Sequence, residues 1–168
     1  MIQARPRFAD RLEFVQIQDF ENLGVFTEAV KDVDAVIHVA SPFTYDTRDN
    51  EKELIVPAIN GVRSVLEAAA ANPRIKRVVV TSSFRLGGSK KFAELAAWDF
   101  VRERKPHFDL VTLGVEKLNE SNAMLWKVAG GEAPLPAARV PFWIDARDLA
   151  VAHVEALSGP GVGGGTRA

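Results

Sequence analysis

The residues best placed to do chemistry lie together between positions 77 and 94. An apolar β-branched run, Val78-Val79-Val80, is followed at once by three hydroxyls, Thr81, Ser82 and Ser83. Gly87 and Gly88 then lead into Ser89-Lys90-Lys91 and a helical pattern. A buried strand that ends in hydroxyls where a helix begins is where open α/β sheets hold their ligands. Hydroxyls at such a place more often cap backbone groups than react. Asp19, after an earlier apolar run, either binds a ligand or begins a turn. His38 sits inside an apolar strand and reads as a hydrogen-bonded core histidine. His107 and His153 show no metal-ligand spacing with it, and no cysteine is present, so thiolate metal sites and disulfides are excluded. Neither G-x-G-x-x-G nor a P-loop occurs.

The elements that must position these groups alternate. Leu12–Ile17 and Val33–Val39 are apolar enough for buried strands, with a short helical pattern between them on which Asn22 is the N-cap. Ser41-Pro42 closes the second strand. A long helix is expected over Glu51–Ala71, because Ile55, Ile59, Val62, Leu66 and Ala69 recur at three or four residues. Pro57 belongs in its first turn or at a kink, and Gly61 suggests a close backbone approach. Ile75–Val80 is the third strand, Ser89–Lys105 a helix with Phe92, Leu95, Ala96 and Phe100 inward, and Phe108–Leu113 the fourth strand. A helix from Asn119 or Ser121 to Val128, an extended piece at 142–144 and a helix at 149–157 follow. Alternating strands and helices make this an α/β chain with a parallel sheet covered on both faces.

The bulk properties are ordinary. The chain has 168 residues, 47% apolar and 26% charged, with 21 basic against 22 acidic side chains and a net charge of −1. That balance points to neither nucleic acid nor an anionic membrane as partner. No apolar run is expected to match a membrane span, so a cytoplasmic protein is the expectation.

The strings Val36-Ile-His-Val-Ala-Ser-Pro42, Pro57-Ala-Ile-Asn-Gly61, Arg77-Val-Val-Val-Thr-Ser-Ser83 and Ser89-Lys-Lys-Phe-Ala-Glu94 together resemble the extended short-chain dehydrogenases/reductases. The likeness is greatest to NADPH-dependent aldehyde and ketone reductases of the methylglyoxal-reductase type, with their cinnamoyl-CoA and dihydroflavonol reductase relatives. Ala96-Ala-Trp-Asp-Phe-Val101, Leu118-Asn-Glu-Ser-Asn122 and Asp145–His153 fit later parts of the same pattern, in order. The resemblance implies that Ser83 is the serine that hydrogen-bonds a substrate carbonyl. It implies that Lys90 is the lysine of the Tyr-x-x-x-Lys pair, which holds the nicotinamide ribose. Asp19 and Phe20 match the pair beside the adenine ring. Val39, Ala40 and Ser41 match the segment whose backbone lies along the cofactor near the nicotinamide. The implied cofactor is NADPH, the substrate a small aldehyde or ketone, and the reaction hydride transfer.

The departures are equally specific. Leu86 stands four residues before Lys90, where the family has its tyrosine, and the one tyrosine of the chain, Tyr45, is followed at that spacing by Asp49. Phe84–Gly88 joins the serine strand to the lysine helix directly, and Val115–Lys117 replaces a proline-rich cofactor segment. The glycine-rich first βαβ unit is not matched. These features lead us to expect a partial Rossmann-like domain over 1–157, with remnants of a substrate lobe near 118–144 and a glycine-rich tail at 158–168. They also frame an alternative to the reductase, a catalytically inactive truncated paralogue that associates with another chain.

Overall fold

A computed structural model describes residues 6–42, 46–82, 88–114 and 145–158. Its frame is β1 (Ala35–His38), α1 (Val56–Ala71), β2 (Arg77–Ser82), α2 (Ser89–Arg104), β3 (Asp109–Gly114) and α3 (Ala146–Ser158). Among the described residues the three strands form one parallel sheet in the order β1-β2-β3, with Ile37 opposite Val79 and Val79 opposite Val111. Each parallel step is bridged by a helix, as a parallel connection requires.

Alternation along β2 explains why both faces are covered. Val78 and Val80 point into a core shared with Val62, Leu66, Ala97, Phe100 and Leu110, beneath α1 and α2. Val79 points the other way, packing with Val111 and with Ala156 of α3. All three valines are at most 2% exposed, and burying each such side chain contributes about 1.5–3 kcal/mol. The expected α/β architecture with helices on both faces is therefore observed.

Several local expectations fail for identifiable reasons. Leu12–Ile17 is not a strand; Phe14 and Val15 are each 61% exposed and no described strand lies beside them. β-branched residues favour a strand only where a ladder partner exists. Residues 23–32 form successive turns rather than a helix, held by three-residue closures such as Val25 N–H to Asn22 O at 3.1 Å. Gly24, Val25 and Thr27 all weaken helical winding. Asn22 still caps, its Oδ1 accepting the Gly24 N–H at 3.1 Å.

The long helix begins as a wider π-wound turn, Glu51–Ile55, before becoming α1. Pro57 has no N–H to donate and its ring crowds the carbonyl four residues back, which the wider turn relieves. Asp49 Oδ1 caps it by accepting the N–H groups of Glu51 and Lys52, each at 3.1 Å, and Glu53 reaches back to the Asp49 N–H at 3.2 Å. Glu51–Ala71, at 21 residues, is long and apolar enough to cross a membrane by length and composition, contrary to expectation. Its inner face, Val62, Val65, Leu66 and Ala69, is buried in the core.

On α2 the buried face is Ala93, Glu94, Ala96, Ala97 and Phe100, and Leu95 is 41% exposed instead of inward. The helix ends at Lys105, whose left-handed backbone (φ 45°) returns its N–H to Val101 O at 3.0 Å. The expected helix at 119–128 and extended piece at 142–144 lie outside the described residues.

Candidate functional site

The carboxyl end of β1 is tied to the first turn of α2 by three contacts. Lys90 Nζ donates to the Val39 carbonyl oxygen at 3.1 Å. Ser89 Oγ donates to the Pro42 carbonyl at 3.3 Å and lies 3.0 Å from Ser41 Oγ. Since Ser89 has one hydroxyl proton and Pro42 O takes it, Ser41 is the donor in the serine pair. Burial of Lys90 holds its ammonium pKa below the ordinary lysine value.

On the other side, the segment after the exposed 12–17 stretch is pinned onto α1. Ser64 Oγ donates to Asn22 O at 2.6 Å, and Asn60 Nδ2 donates to Glu21 Oε2 at 2.8 Å. Phe20 packs edge-on against Phe26 with ring centres 5.4 Å apart. Between these two rims lies a cavity of about 330 Å³, lined by Gln18–Glu21, His38, Ala40–Pro42, Pro57, Ala58 and Gly61. That volume falls at the lower end of the roughly 300–1,000 Å³ usual for small-molecule sites.

Four of the residues singled out in the sequence, Asp19, Phe20, Ala40 and Ser41, line this one cavity. Val39 and Lys90 do not line it but bond each other beside it. Asp19 also begins a turn, its Oδ1 accepting the Glu21 N–H at 2.9 Å. Gly61 faces the cavity and Phe20 rather than a crowded backbone, since a Cβ there would lie 3.9 Å from Phe20 Cβ and 4.0 Å from its carbonyl oxygen. Ser83, Leu86 and Tyr45 lie outside the described residues.

The other two hydroxyls of the trio serve the fold. His153 Nδ1 lies 2.8 Å from the Leu149 carbonyl, which can only accept, so that nitrogen carries a proton. Nε2 lies 2.7 Å from Thr81 Oγ1, a hydrogen bond that ties β2 to α3. Ser82 Oγ donates to Glu94 Oε2 at 2.6 Å, Thr112 Oγ1 to Glu94 Oε1 at 3.2 Å, and Lys91 Nζ lies 3.2 Å from Oε2. Burial raises the Glu94 pKa, but the hydrogen bonds from Ser82, Lys91 and Thr112 and the charge of Lys91 outweigh it and leave the carboxyl below its usual value.

Sequence reasoning gave one of these groups no role and another only a core one. Glu94 carries one available signal, its place one helical turn beyond Lys90. The other is His38. No hydrogen-bond partner among the described residues reaches its ring, contrary to the expected core pairing. Burial, and then the positive charge of Lys90, lower its pKa to about 4.

The described residues fit one half of a dinucleotide. Apolar walls with polar edges suit a nucleoside, and Lys90 suits a ribose hydroxyl. The cradle of glycine N–H groups that a pyrophosphate needs is not among them. The turn leading into α1 carries Glu51 and Glu53, and Asp49 already accepts its first N–H groups.

Comparison with known proteins follows the same lines. The sequence profile of the 3-beta hydroxysteroid dehydrogenase/isomerase family matches residues 5–97. A ketoreductase of Aspergillus niger is 32% identical over 206 positions, covering 90% of this chain and 60% of that protein. A cinnamoyl-CoA reductase of Medicago truncatula is 30% identical over 196 positions, covering 92% of this chain and 59% of that protein. A Candida albicans reductase solved with NADPH superposes with a TM-score of 0.77 at 25% identity, covering 92% of this chain and 62% of that one. The chain thus spans about 60% of the length of these relatives. In the Aspergillus alignment, 90% of 168 residues is about 151, so roughly 55 of the 206 positions face gaps in this chain.

Proposed function

The chain belongs to the 3-beta hydroxysteroid dehydrogenase/isomerase family, within the extended short-chain dehydrogenases/reductases, and from that premise we propose that it is an NADPH-linked reductase of small aldehydes or ketones. The observation that carries this reading is the Lys90–Val39 bond beside the cavity of Asp19, Phe20, Ala40 and Ser41. It brings the lysine of one helix to the end of a strand whose following residues line the cavity.

NADPH, when bound, supplies the hydride. Asp19 and Phe20 lie beside its adenine, the backbone of Val39, Ala40 and Ser41 runs along it near the nicotinamide, and Lys90, anchored on Val39 O, offers its remaining ammonium protons to a ribose hydroxyl. The ammonium is compact and has three donors, so one bond to Val39 leaves two for a ligand. Ser83 takes the role of hydrogen-bonding the substrate carbonyl oxygen. A cytoplasmic location is part of this reading.

A second reading is favoured by Leu86. Its side chain has no proton to give, and general acid catalysis contributes about 10²–10⁴-fold. On this reading the chain binds NADPH without turning it over, or associates with another chain. Titration with NADPH followed by fluorescence, then NADPH oxidation with methylglyoxal and other small aldehydes, decides between them. Binding with oxidation supports the reductase, binding without oxidation supports the second reading, and no binding by folded protein overturns the proposal.

A further inference from the structure

One buried charge lies outside both the cavity and the Lys90–Val39 bond. Glu94 is 6% exposed, with its carboxylate between α2 and the sheet. It accepts from Ser82 Oγ at 2.6 Å and from Thr112 Oγ1 at 3.2 Å, and Lys91 Nζ lies 3.2 Å away. Ser82 continues the Val78–Val80 face beneath α2, and Thr112 stands beside Val80 on that same face. Groups from β2, β3 and α2 itself therefore meet at one carboxylate. For stability alone a buried charge is a poor choice, since apolar residues of similar volume often do as well or better. What its directional bonds add is a single placement of the helix.

The remaining inner face of α2 supplies little of that. Ala93, Ala96 and Ala97 are small, and Phe100 is a large knob only at the far end. Apolar burial is non-directional, so alanines alone would let the helix slide or turn on the sheet. A slip of one residue moves a helix ~1.5 Å along its axis, enough to break the 3.1 Å bond from Lys90 to Val39 O. Ser89 binds only residues 41 and 42, which lie beyond the β1 ladder. Two adjacent lysines also compete for the end of β1. Helical side chains lean toward the N-terminus, so Glu94 reaches back one turn and engages Lys91, leaving Lys90 for Val39. We propose that Glu94 is a positioning residue, which by holding Ser82, Thr112 and Lys91 at once sets the first turn of α2 so that Lys90 is the lysine presented at the end of β1. The inference rests on the NADPH reading for what Lys90 is presented to, but not for the placement itself.

The test uses the full chain and two readouts, one of them free of ligand. The His38 ring senses the Lys90 ammonium, which after burial is the second cause of its low pKa. In Glu94→Gln the ammonium should leave Val39, and the His38 pKa, followed by NMR, should rise toward its value in Lys90→Met. Loss of the Glu94 charge by itself would act in the opposite direction, so a rise reports a moved lysine. The second readout is NADPH affinity in a double-mutant cycle. Glu94→Gln should weaken binding roughly 3- to 10-fold in the wild-type background and no more than about twofold in Lys90→Met. A merely structural glutamate would give equal losses in both backgrounds and no rise at His38. Either of those results, in folded protein, overturns the inference and leaves the NADPH reading standing. If wild type binds no NADPH, that reading falls and the His38 titration alone decides the placement. If Glu94→Gln does not fold, Ser82→Ala removes one donor, keeps the charge of Glu94, and is held to the same two outcomes.

Discussion

Lys90 Nζ donates to the carbonyl oxygen of Val39 across 51 positions of sequence, at 3.1 Å, and so fixes the start of α2 to the end of β1. The same ammonium is the second cause, after burial, of the low His38 pKa. Replacing Lys90 by Met removes a like charge while keeping much of the stem. The His38 pKa should then rise above its value of about 4 yet stay below 6.5, since burial persists. NMR titration of the ring protons in both proteins measures this, and an unmoved pKa would show that the two groups do not sense each other.

His38 also makes stability depend on pH. Its folded pKa, about 4, lies below the 6.5 of an ordinary histidine, which an unfolded chain has. The unfolded state therefore binds the proton more readily between those values. The contribution is fully present above pH 6.5 and is lost as pH falls toward 4. Integrated over that window it is on the order of 3 kcal/mol. Urea unfolding of wild type and His38→Phe at pH 7.5 and 4.5 should show a smaller acid loss in the variant. Equal losses would assign the acid sensitivity elsewhere.

Gly61 sits mid-helix in α1 with room for a methyl group at ordinary contact distance from Phe20. Gly61→Ala should raise stability by about 0.5–1 kcal/mol through lower backbone entropy in the unfolded chain and better helix propensity. The added methyl projects into the cavity, so adenosine should bind more weakly in a protein that melts higher. A gain in stability with no change in binding would place the ligand elsewhere.

Glu94 joins three elements that the chain order keeps apart, accepting from Ser82 on β2, Thr112 on β3 and Lys91 on its own helix. Leucine at this position leaves two buried hydroxyls without their acceptor. The expected loss for Glu94→Leu is about 2–4 kcal/mol, and clearly less for Glu94→Gln, which retains an acceptor oxygen. Chemical denaturation of both variants is the check; equal losses would mean that packing, not hydrogen bonding, dominates there.

How much of this was legible in the sequence depended on whether a signal was local. Val78–Val80, the periodic apolar positions of α1, and the stops at Pro73 and Pro106 carry their meaning within a few residues, and the alternating frame followed from them. Leu12–Ile17 has the same local composition as a strand, but a strand is a pairing, and no described partner flanks it. The π-wound turn before Pro57 reflects a clash with a carbonyl four residues back, visible only once the helix register is set. Glu94 bonds residues 12 and 18 positions away, and no spacing rule announces such a knot. His38 was misread because a core histidine and a cavity histidine share the same flanks; they differ only in what stands across the sheet face. Of the residues implied by resemblance, Asp19, Phe20, Ala40 and Ser41 converge on one cavity, Val39 and Lys90 meet beside it, and Ser83 lies outside the described residues.

The strand order β1-β2-β3 follows the order of the chain. Each pairing therefore closes over one intervening helix, and none waits for a distant segment to arrive. Assembly can grow by accretion, β2 with either neighbour first, without the long loop closures that slow most sheets. Among the described strands β2 alone has ladders on both sides, so its amides should be the last to exchange with solvent hydrogen, and their opening should report the collapse of the whole unit.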